Sequence, residues 1–178
     1  MGADLAMLTV VVQVVVLAVG VVACITDVRS RKIPNVLTFG TAAVGLLFHL
    51  MVGGLAGLGT AAAGWVVGVL LFLPFFLLRG MGAGDVKLLA ALGVWLGPYH
   101  VVWLALFASL SGGVMALVVA ISTGQIRTVF RNLGTMLLFW YVAGPRPVPE
   151  QTLDRSRSPR LAYAIPIFVG TVITLWHH

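Results

Sequence analysis

Charged residues are scarce in this sequence of 178 residues. Only 9% of them are Asp, Glu, Lys or Arg, whereas 60% are hydrophobic and the mean hydropathy is +1.08. Soluble domains carry roughly 25% charged residues, so this composition excludes a soluble globular protein. It indicates a polytopic membrane protein, and we expect one all-α domain, residues 1–178, embedded in the lipid bilayer.

Cysteine is nearly absent, since Cys24 is the single one in the chain. A lone cysteine excludes an internal disulfide framework and a Cys-x-x-Cys metal pair. The terminal His177 and His178 fit an exposed tail better than a metal site. We therefore expect no metal and no cofactor.

Long apolar runs divide the chain into about six predicted transmembrane helices. The predicted spans are residues 5–25, 36–52, 60–78, 86–97, 101–121 and 161–176. No basic residue precedes the first run, which favours a span over a cleavable signal peptide. Gly64 and Gly68 give the third span a small-xxx-small face for close helix packing.

One long polar region, residues 122–160, separates the fifth and sixth predicted spans. It contains large apolar residues at helical spacing, which predict an interfacial helix rather than a span. These residues are Phe130, Leu133, Leu137, Trp140 and Tyr141.

The basic residues lie on one side of this map, and they give the chain a net charge of +6. All eleven follow the first, third or fifth span: Arg29, Arg31, Lys32, Arg79, Lys87, Arg127, Arg131, Arg146, Arg155, Arg157 and Arg160. By the positive-inside rule those regions face the cytoplasm, and both termini lie outside. This placement in short loops argues against nucleic-acid binding.

Acidic residues are the rarest charged class, and only five occur: Asp4, Asp27, Asp85, Glu150 and Asp154. Asp27 and Asp85 adjoin apolar runs on the predicted cytoplasmic face, where an ionisable residue marks a functional site. Two carboxyl groups that lie close together do not both ionise readily, so such a pair supplies one base and one acid. The sequence therefore predicts that Asp27 and Asp85 form one catalytic site.

The residues around Asp85 have predicted supporting roles. Gly82 and Gly84 are expected to provide a tight turn that aims the Asp85 carboxylate into a cavity, because glycine allows positive φ and close backbone approaches. Lys87 is expected to tune the acidity of Asp85 or to bind lipid headgroups.

Other interpretations of the two acids stay open at this point. Asp85 fits a helix cap, and Asp27, near Arg29 and Arg31, fits a solvated loop. A transporter that couples ions or protons through both acids is the main alternative function. A scaffold subunit without chemistry is a third.

Two motifs resemble those of the type IV prepilin peptidases, membrane aspartic proteases of the GxGD class. Residues 27–35, Asp-Val-Arg-Ser-Arg-Lys-Ile-Pro-Asn, are similar to the family's first aspartate with its basic loop. Residues 82–87, Gly-Ala-Gly-Asp-Val-Lys, resemble its Gly-x-Gly-Asp-x-Lys, and residues 164–166 resemble the start of its last helix.

The resemblance implies that Asp27 and Asp85 are catalytic aspartates at the cytoplasmic face of the inner membrane. The implied substrates are precursors of type IV or Flp-type pilins, and pseudopilins, cleaved where a short basic leader meets an apolar helix. Larger members carry a cytoplasmic domain with paired cysteines, so the single cysteine argues against N-methyltransferase activity. The short form looks like the peptidases of tight-adherence (Flp) pili, with an archaeal preflagellin peptidase as the close alternative.

Overall fold

The computed structural model describes residues 2–78, 80–131, 134–135, 144 and 162–176, with side chains from residue 6 onward. Four helices account for most of them: α1 (Gly2–Ser30), α2 (Asn35–Leu77), α3 (Ala83–Ser122) and α4 (Ala164–Trp176). No strand occurs in the described ranges. The predicted all-α class is confirmed.

Three of the helices are long and apolar enough to cross a membrane, by length and composition. They are the part of α1 from Ala6 to Ser30, the 43-residue α2 and the 40-residue α3. A span needs about 20 apolar residues, so α2 and α3 are each about twice the required length. The shorter α4 is apolar and has 13 residues.

Single glycines interrupt the two longest helices. Gly54 in α2 (φ 59°, ψ −148°) and Gly97 in α3 (φ 78°, ψ 172°) are the residues inside these helices whose backbone is not helical. Glycine adopts positive φ readily because it has no Cβ. The predicted break at Gly97 is confirmed, and a break also occurs within the predicted turn over residues 53–59, although it is shorter than predicted because residues 55–59 are helical.

Both helices that carry the predicted catalytic acids are longer than predicted. α1 ends at Ser30 rather than at residue 25, and the positive φ of Arg31 (54°) follows that end. α3 begins at Ala83 rather than at residue 86. Hydropathy marks where apolar residues stop, whereas a helix continues as long as its backbone hydrogen bonds are made. Asp27 and Asp85 are therefore helical residues, and the loop positions considered for them are wrong.

The polar region after α3 is described only in part. Residues 126–131 are helical, as are residues 134 and 135, and the Phe130 side chain is exposed. Leu133, Leu137, Trp140 and Tyr141 lie outside the described residues. The predicted interfacial helix stays a prediction.

The core is built around α3, which packs against all three other helices. Leu88, Leu89, Leu92 and Val94 in its first half are fully buried. On the α2 side, the Trp95 indole N–H donates a hydrogen bond of 2.9 Å to the Thr41 carbonyl. This bond satisfies a polar group that would otherwise be buried without a partner.

The second half of α2 touches α3 through the predicted small-residue face. A Cβ on Gly64 would overlap the backbone oxygen of Gly93, and a Cβ on Gly68 would lie 2.8 Å from the Ala90 Cα. The backbones therefore approach so closely that only glycine fits at these positions. The predicted role of Gly64 and Gly68 is confirmed.

Replacing Gly64 by valine is expected to destabilise the fold. The new side chain collides with backbone, which cannot rotate away, so we expect a loss of about 3 kcal/mol, at the upper end of the overpacking range. The measurement is thermal or chemical unfolding in detergent. Gly59→Val in the same helix is the control, because a Cβ there meets nothing within 4 Å. Equal stability of the two variants would contradict the packing described.

Candidate active site

Asp27 lies near the end of α1, where that helix meets the beginning of α4. Its side chain is 8% exposed, and Oδ2 accepts a hydrogen bond of 3.2 Å from the backbone N–H of Ala164, the first residue of α4. The first amides of a helix have no partner within the helix, so a carboxylate there satisfies one of them. Asp27 is thereby held in a defined orientation.

Asp85 lies in the first turn of α3 and folds back over the start of its own helix. Its carboxylate accepts a hydrogen bond from the backbone N–H of Gly82, the residue that caps α3. This is the geometry of one half of a capping box. A Cβ on Gly82 would lie 3.1 Å from Asp85 Oδ2, so the glycine leaves room for the carboxylate. The helix-cap interpretation of Asp85 is thus correct as a description of its contacts.

The two carboxyl groups, from different helices, interact electrostatically with each other. Both are withdrawn from solvent, with Asp27 buried and Asp85 largely covered. Proximity of two acids in such surroundings favours sharing of one proton between them. The structure therefore brings together the two acids that the sequence singled out.

Contacts between the two sequence motifs fix the start of α3, which carries Asp85, against the segment that follows α1, which carries Asp27. A Cβ on Gly84 would lie 3.3 Å from the Ile33 Cβ, so the start of α3 packs closely on the segment between α1 and α2. Lys87 Nζ donates a hydrogen bond of 3.0 Å to Asn35 Oδ1 and lies 5.1 Å from the centre of the Phe39 ring. Lys87 thus links the second motif to the Ile-Pro-Asn of the first.

These contacts correct one part of the predicted roles of the glycines, the positive φ, and agree with the other part, the close approach. Gly82 has φ −76°, and Gly84 is a helical residue, so neither needs the positive φ that was expected. Both are placed where a side chain would press on a neighbour instead. Glycine serves here for close approach and not for turning.

Sequence reasoning did not single out two residues that contact the site, Tyr163 and Ala164. Tyr163 interacts electrostatically with Asp85, and its hydroxyl lies against α3 next to Gly112 and Ser109. Ala164 supplies the N–H that holds Asp27. The sequence signal for this region was the resemblance of residues 164–166 to the start of the family's last helix. That resemblance does not indicate which residues the helix contacts.

A cavity of about 410 Å³ lies between α2 and α3, at the start of α3. It is lined mainly by apolar side chains from both helices, and Ala83, Val86 and Lys87 border it, whereas Asp85 does not. Such a surface suits an apolar ligand segment more than a polar one.

A family model matches the chain over residues 14–117, a range that includes both acids; it describes the type IV leader peptidase family. The chain belongs to this family. The match covers α1 from residue 14, all of α2 and most of α3, and so both sequence motifs. Together with the apolar helices, the family points to a protein of the inner membrane.

Curated relatives agree with this assignment. A prepilin leader peptidase/N-methyltransferase of Aeromonas hydrophila is 42% identical over 98 residues, which cover 51% of this chain and 33% of that protein. The proteins of the same name from Pectobacterium carotovorum subsp. carotovorum and Neisseria gonorrhoeae are each 38% identical, over 53% and 56% of this chain and 36% and 37% of theirs. The chain thus spans about a third of these relatives. No solved structure gives a significant match.

Proposed function

We propose that this type IV leader peptidase family member is an aspartic endopeptidase that removes the short basic leader from prepilin-like proteins. The pairing of Asp27 and Asp85 carries the proposal, because two acids from separate helices interact at one partly buried site. The names of the relatives, prepilin leader peptidases, support the substrate class. Precursors of type IV or Flp-type pilins, and pseudopilins, are the proposed substrates.

Hydrolysis needs one carboxylate and one carboxylic acid that act on the same peptide bond of the substrate. The carboxylate accepts a proton from a water molecule as the water oxygen attacks the carbonyl carbon, and the acid donates its proton to the carbonyl oxygen. When the C–N bond breaks, the aspartate that took the proton from water gives it to the leaving amine. The other aspartate takes a proton back from a hydroxyl of the tetrahedral intermediate as the new carboxyl group forms, so both aspartates return to their starting forms. The apolar cavity between α2 and α3 would receive the apolar segment that follows the leader.

The cleavage activity is tested by coexpressing the chain with candidate prepilins and following the substrate's size. We expect a shortened product, cut at the junction between the basic leader and the apolar helix. A transporter would leave every prepilin intact and would give a proton-coupled uptake signal instead. Parallel reactions with archaeal preflagellins test the alternative substrate class.

We further propose that the breaks at Gly54 and Gly97 turn α2 and α3 back across the membrane, so that the chain makes about six crossings. A Cβ on Gly57 would overlap the backbone oxygen of His49, and one on Gly93 would lie 3.1 Å from a Val101 methyl carbon. Residues on either side of each break are thus in contact, as in a helical hairpin. With the basic residues placed inside, the catalytic face is cytoplasmic.

Thiol labelling in intact cells tests this topology. In a Cys24→Ala background, Leu55→Cys is expected to react with an impermeant maleimide from outside, because residue 55 directly follows the break and is 82% exposed. Gln125→Cys, also exposed, is expected to react only after the cells are opened. The reverse pattern would place the acids on the outer face and overturn the proposed orientation.

A further inference from the structure

Tyr163 occupies the junction where α4 begins, between α2 and α3. Its ring meets the Phe72 ring edge-on, with 6.1 Å between centroids and an interplanar angle of 74°. A Cβ on Gly112 would lie 2.7 Å from the Tyr163 hydroxyl oxygen, so α3 leaves space for this side chain. Ser109, one turn earlier in α3, is the polar side chain next to this hydroxyl, and because its own Oγ–H donates to the Ala105 carbonyl at 2.7 Å, its oxygen is left to accept from Tyr163. The residue is therefore fixed by contacts with both helices.

The next residue, Ala164, is bound to α1 through both of its backbone polar groups. Its N–H donates to Asp27 Oδ2 at 3.2 Å, and its carbonyl accepts a hydrogen bond of 3.3 Å from Cys24 Sγ. Since Tyr163 and Ala164 are consecutive, a shift of the Tyr163 backbone away from α3 displaces the amide that orients Asp27. Tyr163 also interacts electrostatically with Asp85, so this junction contacts Asp27 and influences Asp85 through its charge.

We propose that Tyr163 is a positioning residue for the peptidase reaction: anchored on Ser109, it holds the start of α4 so that the Ala164 N–H keeps Asp27 directed at Asp85. The kinetic consequence of this inference rests on the proposed function. Its structural consequence, which concerns the contact between α4 and α1 around Cys24, does not. The two consequences are measured separately.

The kinetic test is Tyr163→Phe, which removes the hydroxyl and retains the ring contact with Phe72. We expect kcat to fall about tenfold with KM unchanged, because the substrate site is intact while the acid pair is misaligned. Ser109→Ala should give a similar loss, and the double variant little more, since both remove one interaction. Tyr99→Phe, beyond the Gly97 break, is the matched control and should keep wild-type kcat. Multiplicative losses in the double variant, or an unchanged kcat in Tyr163→Phe, would overturn the proposal.

The structural test uses Cys24, the single cysteine of the chain, and needs no cleavage. In Tyr163→Phe the thiol is expected to react several times faster with a membrane-permeant maleimide, because the Ala164 carbonyl no longer holds it. The unfolding temperature should stay close to that of the wild type, which excludes a general loss of structure. An unchanged labelling rate would overturn the proposal even if no prepilin is cleaved. If the labelling rate of Cys24 rises in Tyr163→Phe but the wild type cleaves no prepilin, the proposed peptidase function is contradicted and the positioning role of Tyr163 is not.

Discussion

Replacing Asp27 or Asp85 by asparagine is expected to abolish prepilin cleavage while the protein stays folded in the membrane. Asparagine keeps the size of the side chain, and its oxygen still accepts the Ala164 N–H at position 27 or the Gly82 N–H at position 85. It neither takes a proton from water nor delivers one to the peptide bond. General acid–base catalysis contributes about 10²–10⁴-fold, so the residual rate of each variant should lie at least about a hundredfold below wild type.

The measurement is the cleavage rate per unit of membrane-inserted protein, compared with a vector control. Glu150→Gln and Asp154→Asn are suitable control variants, because they remove the same kind of charge from the polar region and should cleave normally. Rapid turnover by either Asp27→Asn or Asp85→Asn would remove that residue from the catalytic pair. Loss of activity in the control variants as well would point to net charge rather than to the site.

Replacing Gly84 by valine is expected to reduce cleavage nearly as far as loss of an aspartate. A Cβ at this position would already lie 3.3 Å from the Ile33 Cβ, and the two further methyl groups of valine require the start of α3 to shift. Asp85 is the next residue, so its carboxylate shifts with the helix. Misplacement of a catalytic group by about 1 Å can cost roughly a hundredfold in rate. Gly84→Ala, which needs only a few tenths of an ångström, should be intermediate.

Gly113→Val is the matched control for this change, because Gly113 lies in the same helix and a Cβ there meets nothing within 4 Å. Gly57→Ala is unsuitable as a control, since its Cβ would overlap the His49 carbonyl oxygen. Near-normal cleavage by Gly84→Val would mean that Asp85 is positioned without the contact to Ile33. Unfolding temperatures of both valine variants separate a misplaced acid from a lost fold.

The two acids were predictable because the sequence isolates them chemically. The chain is apolar and has only five acidic residues. Placing an acid beside a membrane span costs free energy, so an acid in that position indicates a functional site. Gly82, Gly84 and Lys87 were singled out because they flank Asp85 in the sequence. Their contacts were not predictable, since Ile33 and Asn35 meet α3 only through the tertiary fold.

Tyr163 and Ala164 show a second limit of sequence reasoning. The hydrogen bond from Ala164 to Asp27 joins residues 137 positions apart, and no local pattern encodes such a pairing. The helix breaks show a third. Residues 53–59 contain four glycines, and composition alone does not distinguish the one that turns the chain, Gly54, from Gly57, which allows the two sides of the turn to touch.

The most direct test of the shared active site is the N-terminus of the product made by purified protein. Wild-type chain and the double variant Asp27→Asn/Asp85→Asn would each be incubated in detergent with a purified Flp-type pilin precursor, and with a type IV prepilin. Mass spectrometry should find one new N-terminus, at the junction of leader and apolar helix, in the wild-type reaction and none with the double variant. Intact precursors with folded wild-type protein, or the same product from the double variant, would contradict the account.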